Sequence, residues 1–73
     1  MAAINTYFIT CAQGGDLRPL VRPIHDQFRD AGVEYHLEKP NCIEVHSCIA
    51  EADLVNFVMP NASQYNDLQV RCK

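Results

Sequence analysis

The side chains best suited to chemistry in this 73-residue chain are Glu34, His36, Glu44 and His46, which fall in two short alternating segments. Imidazole and carboxylate together can hold a Zn²⁺-class metal or relay a proton. In the first segment Val33, Tyr35 and Leu37 alternate with Glu34, His36 and Glu38; in the second, Ile43 and Val45 alternate with Cys42, Glu44 and His46. A period of two marks two strands with one apolar and one polar face. If Glu38 and Cys42 close a turn of Lys39, Pro40 and Asn41, Leu37 opposes Ile43, Tyr35 opposes Val45, His36 opposes Glu44 and Glu34 opposes His46. Each polar pair then joins a potential cation to an anion, which accounts for all four residues as cross-strand neighbours. Strand spacing does not by itself converge four ligands on one point, so no metal and no cofactor are expected. No nucleophile or Gly-rich loop accompanies the His and Glu residues, so no catalytic residue is assigned. The pattern fixes the register to this pairing or one of the same parity, because a one-residue slip exchanges the faces.

A second constellation is cationic. Arg18, Arg22, His25 and Arg29 fall within about 60° of one another at ~100° per helical residue. Such a stripe can contact phosphates or an acidic protein partner. Asp26 and Asp30 interleave it, a pattern that equally suits a solvated helix face.

The elements that must position these groups follow from periodicity. Residues 4–12, INTYFITCA, are β-branched and aromatic and read as a central strand with Tyr7 and Ile9 in the core and Phe8 on the opposite face. After Gln13-Gly14-Gly15, Asp16 can cap a helix whose stripe is Leu17, Leu20, Val21, Ile24, Phe28 and Ala31, with Gly32 as its exit. Pro23 removes a backbone bond, so the regular part is expected to begin only near it. Behind the hairpin, Ile49, Leu54, Phe57 and Val58 form a second stripe, capped near Ser47 or Cys48 and ended by Pro60. Leu68, Val70 and Cys72 alternate with Gln69, Arg71 and Lys73 in a last strand.

The order strand, helix, strand, strand, helix, strand predicts one domain over 1–73: an α+β, ferredoxin-like βαββαβ fold. Its antiparallel sheet has the order 4-1-3-2 with both helices on one face. Cys11 and Cys72 then point to the core and Cys42 and Cys48 to the open face, and no CxxC spacing occurs, so free thiols are expected. The open face gathers Phe8, Glu34, His36, Glu44 and His46. Its carboxylates repel RNA, so the face suits a protein partner or a homodimer through the sheet, against the plain alternative of a solvated sheet face.

Composition narrows the classes further. The net charge of -3 withdraws the general attraction to phosphate, so nucleic acid is not favoured. No apolar run reaches the ~20 residues of a membrane span, and MAAINTYFIT has no basic n-region, so a cytoplasmic location is expected. There the sequon Asn61-Ala62-Ser63 would stay unmodified.

Three segments, NTYFITCA at 5–12, CIEVHSCIAEADLVNFV at 42–58 and NDLQV at 66–70, resemble a group of small mobile-element proteins. The group comprises the CRISPR-associated adaptation nucleases, the SinR-like proteins and the GhoS antitoxin. The resemblance implies the same fold, a sheet-mediated dimer, and an acidic residue after the first strand that helps bind metal in the active nucleases. Here that position is Ala12, which cannot hold Mg²⁺ beside a phosphate. The expectation is therefore a small non-catalytic protein-binding module, a phage or mobile-element accessory protein that inhibits a host defence complex in the manner of an anti-CRISPR. The alternative is a nucleic-acid-binding, metal-dependent ribonuclease or antitoxin whose acidic ligand has moved to Asp16.

Overall fold

The computed structural model describes residues 4–61 and 63–72; Lys73 and Ala62 of the sequon lie outside them. Its elements are β1 (Asn5–Thr10), α1 (Arg18–Gln27), β2 (Gly32–Tyr35), β3 (Cys42–Ser47), α2 (Glu51–Asn61) and β4 (Gln69–Cys72). All strand pairs are antiparallel, in one sheet of order β2-β3-β1-β4, which read from the β4 edge is 4-1-3-2.

Alternation divides the sheet into two faces. Tyr7, Ile9, Ile43 and Val45 point to one side and join Leu17, Leu20, Ile24, Leu54 and Val58 of the helical layer in a single buried cluster. Both helices therefore cover the same face. Each fully buried aliphatic or aromatic chain contributes roughly 1.5–3 kcal/mol of transfer free energy. Tyr7 keeps its hydroxyl satisfied by donating to the Ile49 carbonyl at 2.5 Å, which ties β1 to the segment entering α2.

Several local expectations are corrected. α1 begins at Arg18 and runs through Pro23, because losing one intrahelical bond is offset by burial of Leu20 and Ile24 on either side of it. The helix stops at Gln27, short of Gly32. Phe28 leaves helical geometry (φ -120°, ψ 79°) and its ring meets Phe57 of α2 edge-on, 5.4 Å between centroids. Gly32 instead opens β2. At α2, Ser47 Oγ accepts the Ile49 N–H in a turn ahead of the helix, and the Ala50 carbonyl accepts the first helical N–H groups, from Asp53 and Leu54. Pro60 lies within the last turn rather than after it, and the Asn61 side chain donates to the Phe57 carbonyl at 2.7 Å. Cys72 is exposed on the edge strand β4, not buried, although it pairs with core-facing Tyr7.

The largest correction concerns the hairpin. Tyr35, not Leu37, opposes Ile43; Val33 opposes Val45 and Glu34 opposes Glu44, a shift of two residues at unchanged parity. The cause is what the connection does. Asn41 exchanges two hydrogen bonds with Cys11, its carbonyl accepting the Cys11 N–H at 3.0 Å and its side chain donating to the Cys11 carbonyl at 3.1 Å. Pro40 accepts the Leu17 N–H at 2.7 Å. Residues 40 and 41 thus serve the end of β1 and the start of α1 from the centre of a turn closed by the Cys42 N–H on the Lys39 carbonyl at 3.1 Å, and a second turn, Lys39 N–H to the His36 carbonyl at 3.1 Å, precedes it. The connection lengthens to residues 36–41, and Leu37 stands 79% exposed at its tip.

Candidate functional site

The face without helices is the better-defined surface. Register sets Glu34, Glu44, Phe8 and Arg71 side by side across all four strands. Next to that row lie His46 opposite Thr6, and Cys42 opposite Thr10. The row runs from two carboxylates through a half-buried ring to a guanidinium, so the face carries a charge gradient along its short axis. Arg71 was not singled out from sequence. Its position opposite Phe8 follows only once β4 is in register, and its side chain is held by two bonds to Gln69 Oε1, at 2.9 and 3.2 Å.

At the acidic end the expected cross-strand pairs are rearranged by the register shift. Glu34 faces Glu44 and not His46, and like charges directly opposite each other are unfavourable. His46 stands opposite Gly32, yet its Nε2 reaches Glu44 at 3.2 Å and Glu34 at 3.9 Å. Its Nδ1 lies 3.1 Å from Thr6 Oγ1. One tautomer satisfies both contacts: Thr6 donates to Nδ1 and Nε2–H donates to Glu44. His36 no longer pairs on a strand. It follows the end of β2, and one ligand atom from each of Glu34, His36 and Glu44 lies within 4.8 Å of the other two. A groove of about 300 Å³ lined by Phe8, His36, Glu38, Lys39, Cys42 and Glu44 adjoins them.

The basic stripe is less coherent than its periodicity implies. Arg18, Arg22 and His25 lie exposed along α1, while Arg29 falls beyond Gln27 in the following turn and leaves the helical line. Arg22 stands 4.0 Å from Asp26, with both side chains mostly in solvent, a pairing worth at most a few tenths of a kcal/mol.

The position that the resemblance reserves for an acidic ligand sits at the far end of β1, beside a cleft of about 330 Å³ formed by residues 11–15 and 64–66. Ala12 gives its N–H to the Asn66 carbonyl at 2.9 Å. No carboxylate lines this cleft among the described residues. Asp16 is occupied elsewhere: its Oδ1 accepts the Arg18 N–H and the Tyr35 hydroxyl, both at 2.9 Å. Those two donors, the Arg18 N–H first, hold its carboxyl below the ordinary range. It is the anchor of the α1 entrance, one residue ahead of the N-cap Leu17. Sequence reasoning missed the cleft; Gly14-Gly15, opposite the polar loop that contains Tyr65, was its only signal. Cys11 lies at its base, its thiol pushed up by burial and then by the charge of Asp16, which makes it a poor nucleophile.

No family model, curated protein or solved structure matches this chain. No helix among the described residues is long and apolar enough to cross a membrane.

Proposed function

We propose that this chain is a small non-catalytic module of ferredoxin-like fold that docks on another protein through its open sheet face. The reading rests on one observation, the transverse row of Glu34, Glu44, Phe8 and Arg71. A half-buried aromatic flanked by opposite charges favours a partner with an apolar centre and a reversed charge order. Among the described residues of the helix-covered side, most apolar chains are spent in the core, and Arg22 has only the solvent-exposed Asp26 beside it. Catalysis is not favoured, since Asp16 is engaged by two donors and Ala12 supplies no ligand. The narrower reading, a mobile-element accessory protein that inhibits a host defence complex, rests on the resemblance of the three sequence segments.

Affinity purification of the tagged chain from a bacterial lysate, in nuclease-treated and untreated halves, tests the docking reading. A stoichiometric protein is expected in both halves, retained by Arg22→Glu and lost by Phe8→Ser with the fold intact by circular dichroism. A copurifying species that proves to be a second copy of the chain assigns the face to a homodimer. Nucleic acid recovered alone and lost on nuclease treatment, or a partner that Phe8→Ser retains and Arg22→Glu loses, overturns the assignment of this face.

A further inference from the structure

We propose that Glu34, His36 and Glu44 form a binding site for a Zn²⁺-class divalent cation at the acidic end of the open face. The inference concerns the isolated chain and does not depend on the docking reading. It rests on three features of the register actually adopted.

The first is convergence. A ligand atom from each of the three residues lies within 4.8 Å of the other two. Donors around one Zn²⁺ at ~2.0–2.1 Å stand about 3.4 Å apart in a tetrahedron. Closing from 4.8 Å asks each donor to move inward by roughly 1 Å, within reach of side-chain torsions on residues that are not buried. The in-register hairpin expected from sequence would have set His36 opposite Glu44 and Glu34 opposite His46, as two self-satisfied pairs. The two-residue shift replaces both direct pairings and brings Glu34, from one of them, beside His36 and Glu44 of the other.

The second is charge. Glu34 and Glu44 are direct cross-strand neighbours, an unfavourable arrangement of like charges that a cation between or beside them would relieve. The third is support. His46 Nε2 is 3.2 Å from Glu44 Oε2 and its Nδ1 is 3.1 Å from Thr6 Oγ1, a chain from β1 through β3 that fixes the carboxylate's orientation. Ligating carboxylates are commonly held in this way by an outer hydrogen-bonding partner.

Ligand type selects the ion. Imidazole with two carboxylates suits Zn²⁺, Co²⁺ or Ni²⁺; Ca²⁺ needs six to eight oxygens and Mg²⁺ near-ideal octahedral oxygen ligation. Three protein ligands on an exposed face leave the remaining coordination positions to water or to a side chain of a partner.

The test titrates Zn²⁺ into the full chain by calorimetry under thiol-reducing conditions, with Co²⁺ absorption as a second readout. One equivalent is expected to bind, and Glu44→Gln and His36→Ala are each expected to weaken it by at least ~10-fold. His25→Ala, on α1, and the double variant Cys42→Ser/Cys48→Ser are expected to leave the affinity within ~2-fold. Ni²⁺ should broaden the amide resonances of residues 34–36 and 44 ahead of all others. An absence of saturable binding overturns the proposal. So does an affinity that survives Glu44→Gln and His36→Ala in folded protein, or a site lost in the cysteine variant together with a sulfur-to-cobalt charge-transfer band.

Discussion

Gly15 and Cys11 form a pair whose interaction should change the sign of a substitution. A Cβ placed on Gly15 would lie 2.5 Å from Cys11 Sγ, 3.3 Å from the Ala12 carbonyl oxygen and 3.7 Å from Tyr65 Cδ1. Ordinary contact between such atoms is about 3.5–4.0 Å, so the sulfur and the added methyl need over 1 Å of separation that the site does not have. Cys11 is 8% exposed at the base of the cleft formed by residues 11–15 and 64–66, so moving its sulfur away from the added methyl gives up buried contacts. Overpacking of this kind costs about 1–3 kcal/mol, a sizeable share of what a domain this small can hold.

Cys11→Ala alone should cost on the order of 1 kcal/mol, the transfer value of one methylene-sized buried group. It also deletes the clashing atom. The only glycine with positive φ among the described residues is Gly14, so the Gly15 backbone suits alanine once the sulfur is gone and the 3.3 Å approach to the Ala12 carbonyl oxygen relaxes by a few tenths of an ångström. In the Cys11→Ala background, Gly15→Ala should therefore stabilise by about 0.4–1 kcal/mol through the unfolded chain's lost freedom. The coupling across the cycle is then about 1.5–4 kcal/mol in favour of the double variant. Urea unfolding of the four proteins, followed by far-ultraviolet circular dichroism and compared at constant m, measures it. Equal effects of Gly15→Ala in the two backgrounds would refute the packing at the base of the cleft.

Two further outcomes test other parts of the fold. Leu37→Ser should change stability by no more than about 0.5 kcal/mol in the same urea assay, since the side chain is 79% exposed; a loss above 2 kcal/mol would restore the register that pairs it with Ile43. Asp16→Asn should flatten the acid limb of the stability curve. The native carboxyl is held below its ordinary value of 3.8, so its contribution is present above that value and is lost as the pH falls through the lowered one; an unchanged acid limb would deny the Arg18 and Tyr35 contacts.

Element order and face assignment were legible in the sequence, because both follow from periodicity. Tyr7 and Ile9 inside with Phe8 outside, and Ile43 and Val45 inside with Glu44 and His46 outside, need nothing beyond alternation and a central strand. The helix limits were not legible. Phe28 continues the apolar stripe of α1 but turns out of the helix to meet Phe57, a contact between elements 29 residues apart. The cleft was invisible for the same reason, since Tyr65 reaches the Asp16 carbonyl at 2.6 Å from the opposite end of the chain.

The hairpin shows how such a distant demand reshapes a candidate site. Local pattern fixed only the parity of the register, and a turn closed by Glu38 and Cys42 put Leu37 opposite Ile43. Parity protects the core in either case, because both registers keep Val33 and Tyr35 on the buried side. What decides between them is backbone hydrogen bonding at the other end of the sheet. With Cys11 and Leu17 left without Asn41 and Pro40, two N–H groups at buried residues would lose their acceptors, each at a cost of about 1–3 kcal/mol. Against this stand two exposed cross-strand ion pairs worth at most about 1 kcal/mol each and one leucine that could have been covered. The two sums are comparable, and the bonds to β1 and α1 also close the sheet against the helical layer. The consequence on the open face is chemical: satisfying Cys11 and Leu17 sets Glu34 beside Glu44, and leaves a pair of carboxylates whose neutralisation must come from His46, from a cation, or from a partner.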